Sequence, residues 1–208
     1  MSSYASNYRY RKSDGYASSR LRAHKERLYE EYAYVLDVIP YSRGGRERRG
    51  RMSTPMAQVI GEKYFTLLEV QLRPEVVVDV GERLYIGKDQ REKVLRVTGR
   101  IDFRDLTASA KAELKGILER IVSDQESKFL EFFNKSSAVT PRMHALELIP
   151  GIGKKSMWQI IKERERKPFS SFQDLKDRVG ISDPHKLIAK RILEEISESS
   201  KYKIFTRS

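Results

Sequence analysis

The chain has 208 residues but contains no cysteine and only three histidines, so several kinds of site are excluded. It can form neither a disulfide nor a thiolate metal site, and His24, His144 and His185 do not have the spacing of metal ligands. No apolar run reaches the roughly 18 residues that a transmembrane helix needs, and the N-terminal segment lacks the apolar core of a signal peptide. We therefore expect a cytoplasmic protein without a membrane span or a cofactor.

Acidic residues are too few to balance the basic ones, and the basic excess is unevenly distributed. The 41 lysines and arginines against 29 aspartates and glutamates give a net charge of +12 and a pI near 9.8. The net charge is +6 in residues 1–51 and zero in residues 52–139, while residues 140–196 and 197–208 add +4 and +2. Solubility alone would not require this separation, whereas binding to a polyanion would produce it. The charge pattern therefore predicts a nucleic-acid partner.

The most informative segment is LELIPGIGKKSMWQIIKER, residues 146–164. It predicts a helix that ends at Pro150, a glycine-rich turn and a second helix. The two glycines of the turn permit positive φ and a close approach to a ligand, and the second helix begins with two lysines and no acidic residue. Free N–H groups at such a helix start favour an anion, so we predict phosphate binding. The candidate residues are Gly151, Ile152, Gly153, Lys154, Lys155 and Ser156.

The same segment has a purely architectural interpretation. A glycine after a helix often serves only as its C-terminal cap, and no ligand is then required. The apolar residues of the segment are predicted to form core in either case; they are Leu146, Ile149, Ile152, Ile160 and Ile161.

These residues resemble the helix-hairpin-helix (HhH) motif of non-sequence-specific DNA-binding proteins. The segments PFSSFQDL at 168–175 and VGI at 179–181 resemble the second half of the tandem HhH domain of bacterial competence proteins. In the second hairpin, Ser182 replaces a glycine and Val179 a proline, so the resemblance implies phosphate binding by the first hairpin only. Hairpins of this family can hold a monovalent cation on main-chain carbonyls. The corresponding residues here are Glu147, Ile149 and Ile152.

The first half of the chain has the pattern of a β domain. We predict strands over residues 32–39, 68–72, 76–80, 84–86 and 94–103, from β-branched residues and period-two alternation. Five strands in about 75 residues fit a small barrel of the OB (oligonucleotide-binding) type. An SH3-like barrel or a two-layer sandwich has compatible spacing.

Residues 42–52, SRGGRERRGRM, predict an arginine–glycine loop after the first strand. The segment holds five arginines, three glycines and one glutamate, and it contains no aliphatic residue that could join a core. It has the position of the first binding loop of an OB-fold and resembles segments that bind RNA with little sequence preference. A solvated charge run is the alternative. The candidate phosphate contacts are Arg43, Arg46, Arg48, Arg49 and Arg51.

A helical region is predicted from Thr107, its N-cap, to Asn134. Its phenylalanines, at positions 129, 132 and 133, form an apolar stripe that we expect to pack on a neighbouring domain. Trp158 could stack on a base or cover an interdomain surface, and we favour the second interpretation.

The predicted fold class is α+β, with an OB-like barrel, a helical connector and an HhH domain. The predicted boundaries are 1–27 for a flexible basic arm, 28–105 for the barrel, 106–137 for the connector, 138–197 for the tandem HhH domain and 198–208 for a basic tail. Tyrosines and arginines alternate in the arm, which either binds nucleic acid or has no partner.

This arrangement resembles an archaeal family known as domain of unknown function 655, for which nucleic-acid binding is the suggested role. We expect a non-catalytic protein that binds RNA or DNA through phosphates with little sequence specificity. An adaptor in a ribosome-associated or repair assembly is a second hypothesis. A DNA-processing enzyme is the third, and Asp174 or Asp177 would then be the catalytic residue, but the chain has no metal cluster or nucleophile motif.

Overall fold

The chain combines a five-stranded antiparallel sheet with helices, as the computed structural model shows for residues 29–40, 54–198 and 200–206. The strands of the sheet are β1 (Tyr32–Ile39), β2 (Met56–Gly61), β3 (Leu67–Leu72), β4 (Arg83–Tyr85) and β5 (Val94–Arg100). Two helices follow, α1 (Ala108–Asp124) and α2 (Glu126–Lys135), and then a small hairpin of β6 (Ala138–Thr140) and β7 (Met143–His144). The last helices are α3 (Lys154–Arg166), α4 (Phe172–Val179) and α5 (Pro184–Ser197). The predicted α+β class is confirmed.

The sheet has the strand order β4-β1-β2-β3-β5 and curls into a half-barrel. All four pairings are antiparallel, and the register places Val35 opposite Val59 and Val59 opposite Leu68. The pairing of β1 with β2 ends at Ile39 and Met56, so the arginine–glycine loop connects two neighbouring strands. The loop itself, residues 42–52, lies outside the described residues, as does the predicted arm.

One strand prediction is wrong, and one strand is missing from the predictions. The predicted strand over 76–80 is not formed, and β2 was not predicted. Every residue of β2 is buried, so the strand lacks the polar–apolar alternation that reveals a half-buried strand. In the segment 76–80 only Val78 reaches the core, and Val77 is 82% exposed. The last strand also ends at Arg100 instead of residue 103, before a 3₁₀ helix at Phe103–Asp105.

Both faces of the sheet are packed, which explains the continuous burial of its central strands. Ala33 and Val35 belong to a cluster that is formed by the sheet and its loops alone. Tyr34 and Leu36, on the opposite face of β1, belong to a larger cluster with the helices. This larger cluster contains residues from the predicted barrel, connector and HhH segments together. The proposed domain boundaries stay a prediction.

The start of α1 is fixed to the sheet by its cap. Thr107 accepts a hydrogen bond from the Ala110 amide at 3.0 Å and donates one to Asp37 Oδ2 at 2.6 Å. The prediction of Thr107 as an N-cap is confirmed. The helical region is divided at Gln125 into α1 and α2, and Phe129 and Phe133 of α2 are fully buried, as expected for core residues.

Two buried glutamates fix chain segments through main-chain amides. Glu30 accepts from the amides of Lys63, Tyr64 and Thr66 at 2.9–3.2 Å and so holds the loop between β2 and β3. Glu195, which is 1% exposed, accepts from the amides of residues 204–206 at 2.8–3.1 Å. The described end of the predicted basic tail is therefore attached to α5. Among the described helices, none is long and apolar enough to span a membrane.

Candidate functional site

The predicted glycine-rich turn is present, but the helix expected before it is a single 3₁₀ turn, Ala145–Leu148. His144 caps that turn, because its Nδ1 accepts the Leu146 amide at 3.1 Å while Glu147 accepts the His144 amide at 2.8 Å. The expectation of a longer helix is wrong because β7 ends at His144, which leaves four residues before Ile149 becomes extended. We call residues 149–153 the first turn.

The two glycines of the first turn have different roles. Gly151 has φ +89°, a left-handed conformation that other residues adopt only with strain, and a Cβ there would lie 3.6 Å from Leu187. Gly153 has φ −87° and ψ 177°, and a Cβ there would meet no atom within 4 Å. The expectation of special backbone freedom therefore holds at Gly151 alone. Gly153 instead serves as the N-cap of α3.

The start of α3 leaves its first three amides without an acceptor among the described residues. Gly153 has no side chain to cap them, and the first turn of α3 contains no acidic residue. The first helical hydrogen bond runs from the Met157 amide to the Gly153 carbonyl at 2.9 Å. The amides of Lys154, Lys155 and Ser156 thus remain available. Gly151, Gly153 and both lysines are exposed and Ser156 is half-buried, whereas Ile152 is buried, so five of the six predicted residues reach the surface.

The lysines beside these amides are not neutralised. In the described part of the chain, neither Lys154 nor Lys155 forms an ion pair, and the same holds for Lys162 two turns along α3. Two basic residues of the helical half are paired in contrast: Lys186 lies 3.6 Å from Asp183, and Arg178 lies 3.4 Å from a Glu163 oxygen. Uncompensated charge and free amides therefore coincide at the start of α3.

Buried contacts fix α3 against its neighbours. Arg164 donates to the carbonyls of Phe133 and Ser136 at 2.9 and 2.8 Å, which joins α3 to the end of α2. Burial lowers the pKa of Arg164 from its usual value, although an arginine stays charged at neutral pH. Ile152 and Met157, 4% and 5% exposed, anchor the first turn in the core. The start of α3 is therefore held in place by buried contacts.

A second turn, which we define as residues 180–183, connects α4 to α5 and differs at its helix start. Gly180 has φ +77°, close to the value at Gly151, and the next residue, Ile181, is buried like Ile152. The N-cap of α5 is Asp183, whose φ is +49°, and the helix then begins with Pro184. Proline has no N–H, and the Lys186 amide donates to the Asp183 carbonyl at 2.9 Å. The second turn thus offers fewer free amides and adds a carboxylate.

Trp158 lies one turn into α3 and is 65% exposed. The interpretation that it covers an interdomain surface is not supported within the described part of the chain, because most of the residue is uncovered. Lys154 precedes it by four residues and Lys162 follows it by four, so all three side chains share one helical face. That spacing is visible in the sequence and could have indicated an exposed basic–aromatic surface.

The remaining candidate residues have separate outcomes. The five arginines of the arginine–glycine loop, Arg43, Arg46, Arg48, Arg49 and Arg51, lie outside the described residues. Of the carbonyls predicted to hold a monovalent cation, that of Ile149 accepts the Ile152 amide at 3.0 Å, and those of Glu147 and Ile152 accept none from a described residue. The cation stays a prediction. The described residues include no cluster of three or more side chains of the His, Cys, Asp or Glu type suited to a metal.

Comparison with known proteins gives a family. The chain is 41% identical over 184 residues to "Uncharacterized protein MJ0038" of Methanocaldococcus jannaschii, which covers 88% of this chain and 82% of that protein. A solved structure, "Crystal structure of Af1531 from Archaeoglobus fulgidus, family-model DUF655", is similar with a TM-score of 0.76 at 48% identity. The match covers 86% of this chain and 100% of that one. The model described as "Protein of unknown function (DUF655)" matches residues 29–207, and the chain belongs to this family.

Proposed function

We propose that this protein is a non-catalytic nucleic-acid-binding protein that holds the phosphate backbone at the start of α3 with little sequence specificity. The observation that carries this proposal is the coincidence of three amides that have no partner among the described residues with two exposed, unpaired lysines. Phosphate satisfies the amides, interacts favourably with the helix dipole and neutralises the lysines. Contacts of this kind go to the backbone and carry no base information.

A comparison with the other described helix starts supports this choice. At α1 and α4 a side chain caps the helix, since Thr107 and Ser171 each accept an amide hydrogen bond at 3.0 Å. At α2 the Lys128 amide donates to the Gln125 carbonyl, also at 3.0 Å. Within the described residues, α3 is the helix whose first three amides all lack a partner. Its start is therefore the one best suited to an external anion.

The two glycine turns support the interpretation of residues 138–197 as a tandem HhH domain. Each has a glycine with positive φ followed by a buried isoleucine and then a helix start. In our proposal the first turn binds phosphate and the second serves mainly to hold α4 and α5 together.

The half-barrel and its arginine–glycine loop would provide a second contact. We propose an OB-like role for the sheet, because the arginine–glycine segment follows β1 and precedes β2 in the sequence, and these two strands are paired. Its five arginines would then contact phosphates of single-stranded or structured RNA, while the start of α3 would hold a backbone phosphate of DNA or RNA.

The acidic residues after the first turn have structural roles that favour a non-catalytic protein. Asp174 accepts the Ser170 amide at 3.0 Å and lies 3.3 Å from Arg178. That amide and the guanidinium hold the pKa of Asp174 below its usual value, whereas a general base near neutral pH needs a raised one. Asp177 accepts a hydrogen bond from Gln173 at 2.7 Å. The adaptor hypothesis is weakened because the phenylalanines of α2 that would form its docking face are mostly buried.

The proposal is tested by charge reversal at the start of α3. We expect Lys154→Glu with Lys155→Glu to weaken binding to mixed oligonucleotides about tenfold or more, and to reduce the slope of log affinity against log salt by roughly 2. The matched control is Lys111→Glu with Lys115→Glu, which makes the same change in net charge at two exposed positions of α1. The control should change affinity by less than about threefold.

Two results would contradict the proposal. One is a binding affinity that does not change with salt. The other is an equal loss of affinity in both double variants, because the effect would then come from total charge and not from the start of α3. Circular dichroism of each variant checks that the fold is kept.

A further inference from the structure

Trp158 is an unusual residue for a surface because it is large, apolar and 65% exposed. It is also the one tryptophan of the chain. An aromatic ring of this size stabilises a protein when it is buried, and an exposed ring does not make that contribution. Exposed aromatic residues are common where a protein contacts a partner.

The charges around Trp158 indicate what kind of partner fits. Lys154, Lys155 and Lys162 lie four residues before, three residues before and four residues after it, so all three are its neighbours on one face of α3. None of the three is ion-paired within the described ranges, whereas Arg166 at the end of the same helix lies 3.1 Å from Glu163. An aromatic ring among uncompensated positive charges suits a polyanion that also presents flat π surfaces.

We propose that Trp158 stacks on an unpaired base next to the phosphate held at the start of α3. The protein would then prefer single strands, and junctions between single and double strands, to blunt duplex. This inference rests on the proposed function and specifies the substrate class of the same site.

The distance between the two contacts is suitable. Four residues of helix separate Lys154 from Trp158, which is about 6 Å along the axis. This is comparable to the length of one nucleotide in an extended strand. In an intact duplex the base faces are covered by their neighbours, so Trp158 gains nothing there, whereas an unpaired base exposes its face.

The single tryptophan makes the test direct, because intrinsic tryptophan fluorescence reports this ring alone. The probes are a single-stranded oligonucleotide, a blunt duplex, the duplex with a single-stranded overhang, and an overhang in which the bases are absent. We expect quenching with the single strand and the normal overhang, and little with the blunt duplex or the abasic overhang.

Affinity of variants gives a second readout. Trp158→Ala should weaken binding to the single strand and the overhang about tenfold, while changing binding to the blunt duplex less than about twofold. Trp158→Phe should retain most of the affinity because it keeps a stacking surface. Leu95→Ala on β5 removes another exposed apolar side chain and should leave the affinity for all four probes unchanged.

The outcomes separate the two proposals. If oligonucleotides bind with a steep salt dependence but all four probes quench equally, or none does, the stacking inference is wrong and the proposed function stands. If Trp158→Ala instead loses a protein partner that survives nuclease treatment, and keeps its affinity for single strands, the inference is also overturned. If no probe binds, the proposed function itself fails.

Discussion

The first and second turns of the helical half share a positive-φ glycine before a buried isoleucine, but their helix starts differ in backbone conformation and in charge. Gly151 and Gly180 both have positive φ, at +89° and +77°, and each precedes a buried isoleucine. At the first turn the helix then begins with free amides and two lysines, whereas at the second it begins with Asp183 and Pro184. The shared geometry serves packing, and the difference at the helix start determines whether an anion can bind.

The largest effect on nucleic-acid affinity is expected from placing a carboxylate at the helix start of the first turn, as Asp183 does at the second. In Gly153→Asp the new side chain can cap the free amides, since φ and ψ at this position already suit an N-cap. Stability should rise by about 0.5–1 kcal/mol, while nucleic-acid affinity should fall at least about tenfold, because the carboxylate occupies the amides and repels phosphate. Thermal unfolding measures the expected rise in stability, and binding titrations measure the expected fall in affinity.

Gly153→Ala is the control for that substitution. Its Cβ meets no atom within 4 Å, so it tests the loss of glycine without adding a charge. Affinity should stay within about threefold of the original, and the helix should lose a few tenths of a kcal/mol. If Gly153→Asp binds nucleic acid as well as the original chain, the amides of α3 are not the phosphate site.

A smaller effect on nucleic-acid affinity is expected when either glycine with positive φ is replaced by alanine. Gly151→Ala and Gly180→Ala should each destabilise the protein by about 1–2 kcal/mol, because both positions require a left-handed backbone. Only Gly151→Ala should also weaken binding, by about threefold to tenfold, since it shifts the segment that carries the free amides. Measuring unfolding and affinity for the pair separates packing from binding. Equal losses of affinity would mean that both turns contact the ligand.

The smallest effect is a pH dependence of stability that comes from His144, the cap of the 3₁₀ turn Ala145–Leu148. Burial, and then the charge of Arg164, lower the pKa of His144 below 6.5, and Glu147 opposes them. The unfolded chain therefore binds this proton more readily than the folded one. The stability that depends on neutral His144 is fully present above about pH 6.5 and is lost as the pH falls towards the lower folded pKa.

The loss at low pH should be about 0.5–1 kcal/mol, the value of one cap, because protonation removes the Nδ1 acceptor of the Leu146 amide. Urea unfolding between pH 7.5 and pH 5 measures it. The control is His144→Asn, in which an amide oxygen can cap without titrating. A variant with an unchanged pH dependence would contradict the assignment to His144.

Local signals predicted the turns well, because their determinants are close in sequence. The order Pro150-Gly151-Ile152 specifies a chain reversal through φ restrictions alone, and Thr107 is recognisable as a cap from the apolar pattern after it. The strand β1 was predicted with its observed bounds for the same reason. The free amides of α3 also follow from local sequence, since a glycine cap without an acidic first turn is visible in the chain.

Features that depend on distant contacts could not be predicted in this way. The strand β2 is buried on both faces because Ile60 belongs to one hydrophobic cluster and Ala57 and Val59 to the other, and its short sequence shows no period. Glu30 and Glu195 look like ordinary surface carboxylates until the loops whose amides they bind are known. The exposure of Trp158 depends on which elements pack beside α3, which its sequence does not specify.

The attachment of residues 204–206 to Glu195 has a practical consequence for work on this protein. The carboxylate of Glu195 is shielded from water and holds the amides of residues 204–206, while Arg191 donates to it at 3.0 Å. Proteolysis or truncation between residues 198 and 203 would remove these amide donors and leave the buried carboxylate of Glu195 paired with Arg191 alone. Purification handles are therefore better placed ahead of the sheet, and any shortened version needs its melting behaviour checked before its affinity is interpreted.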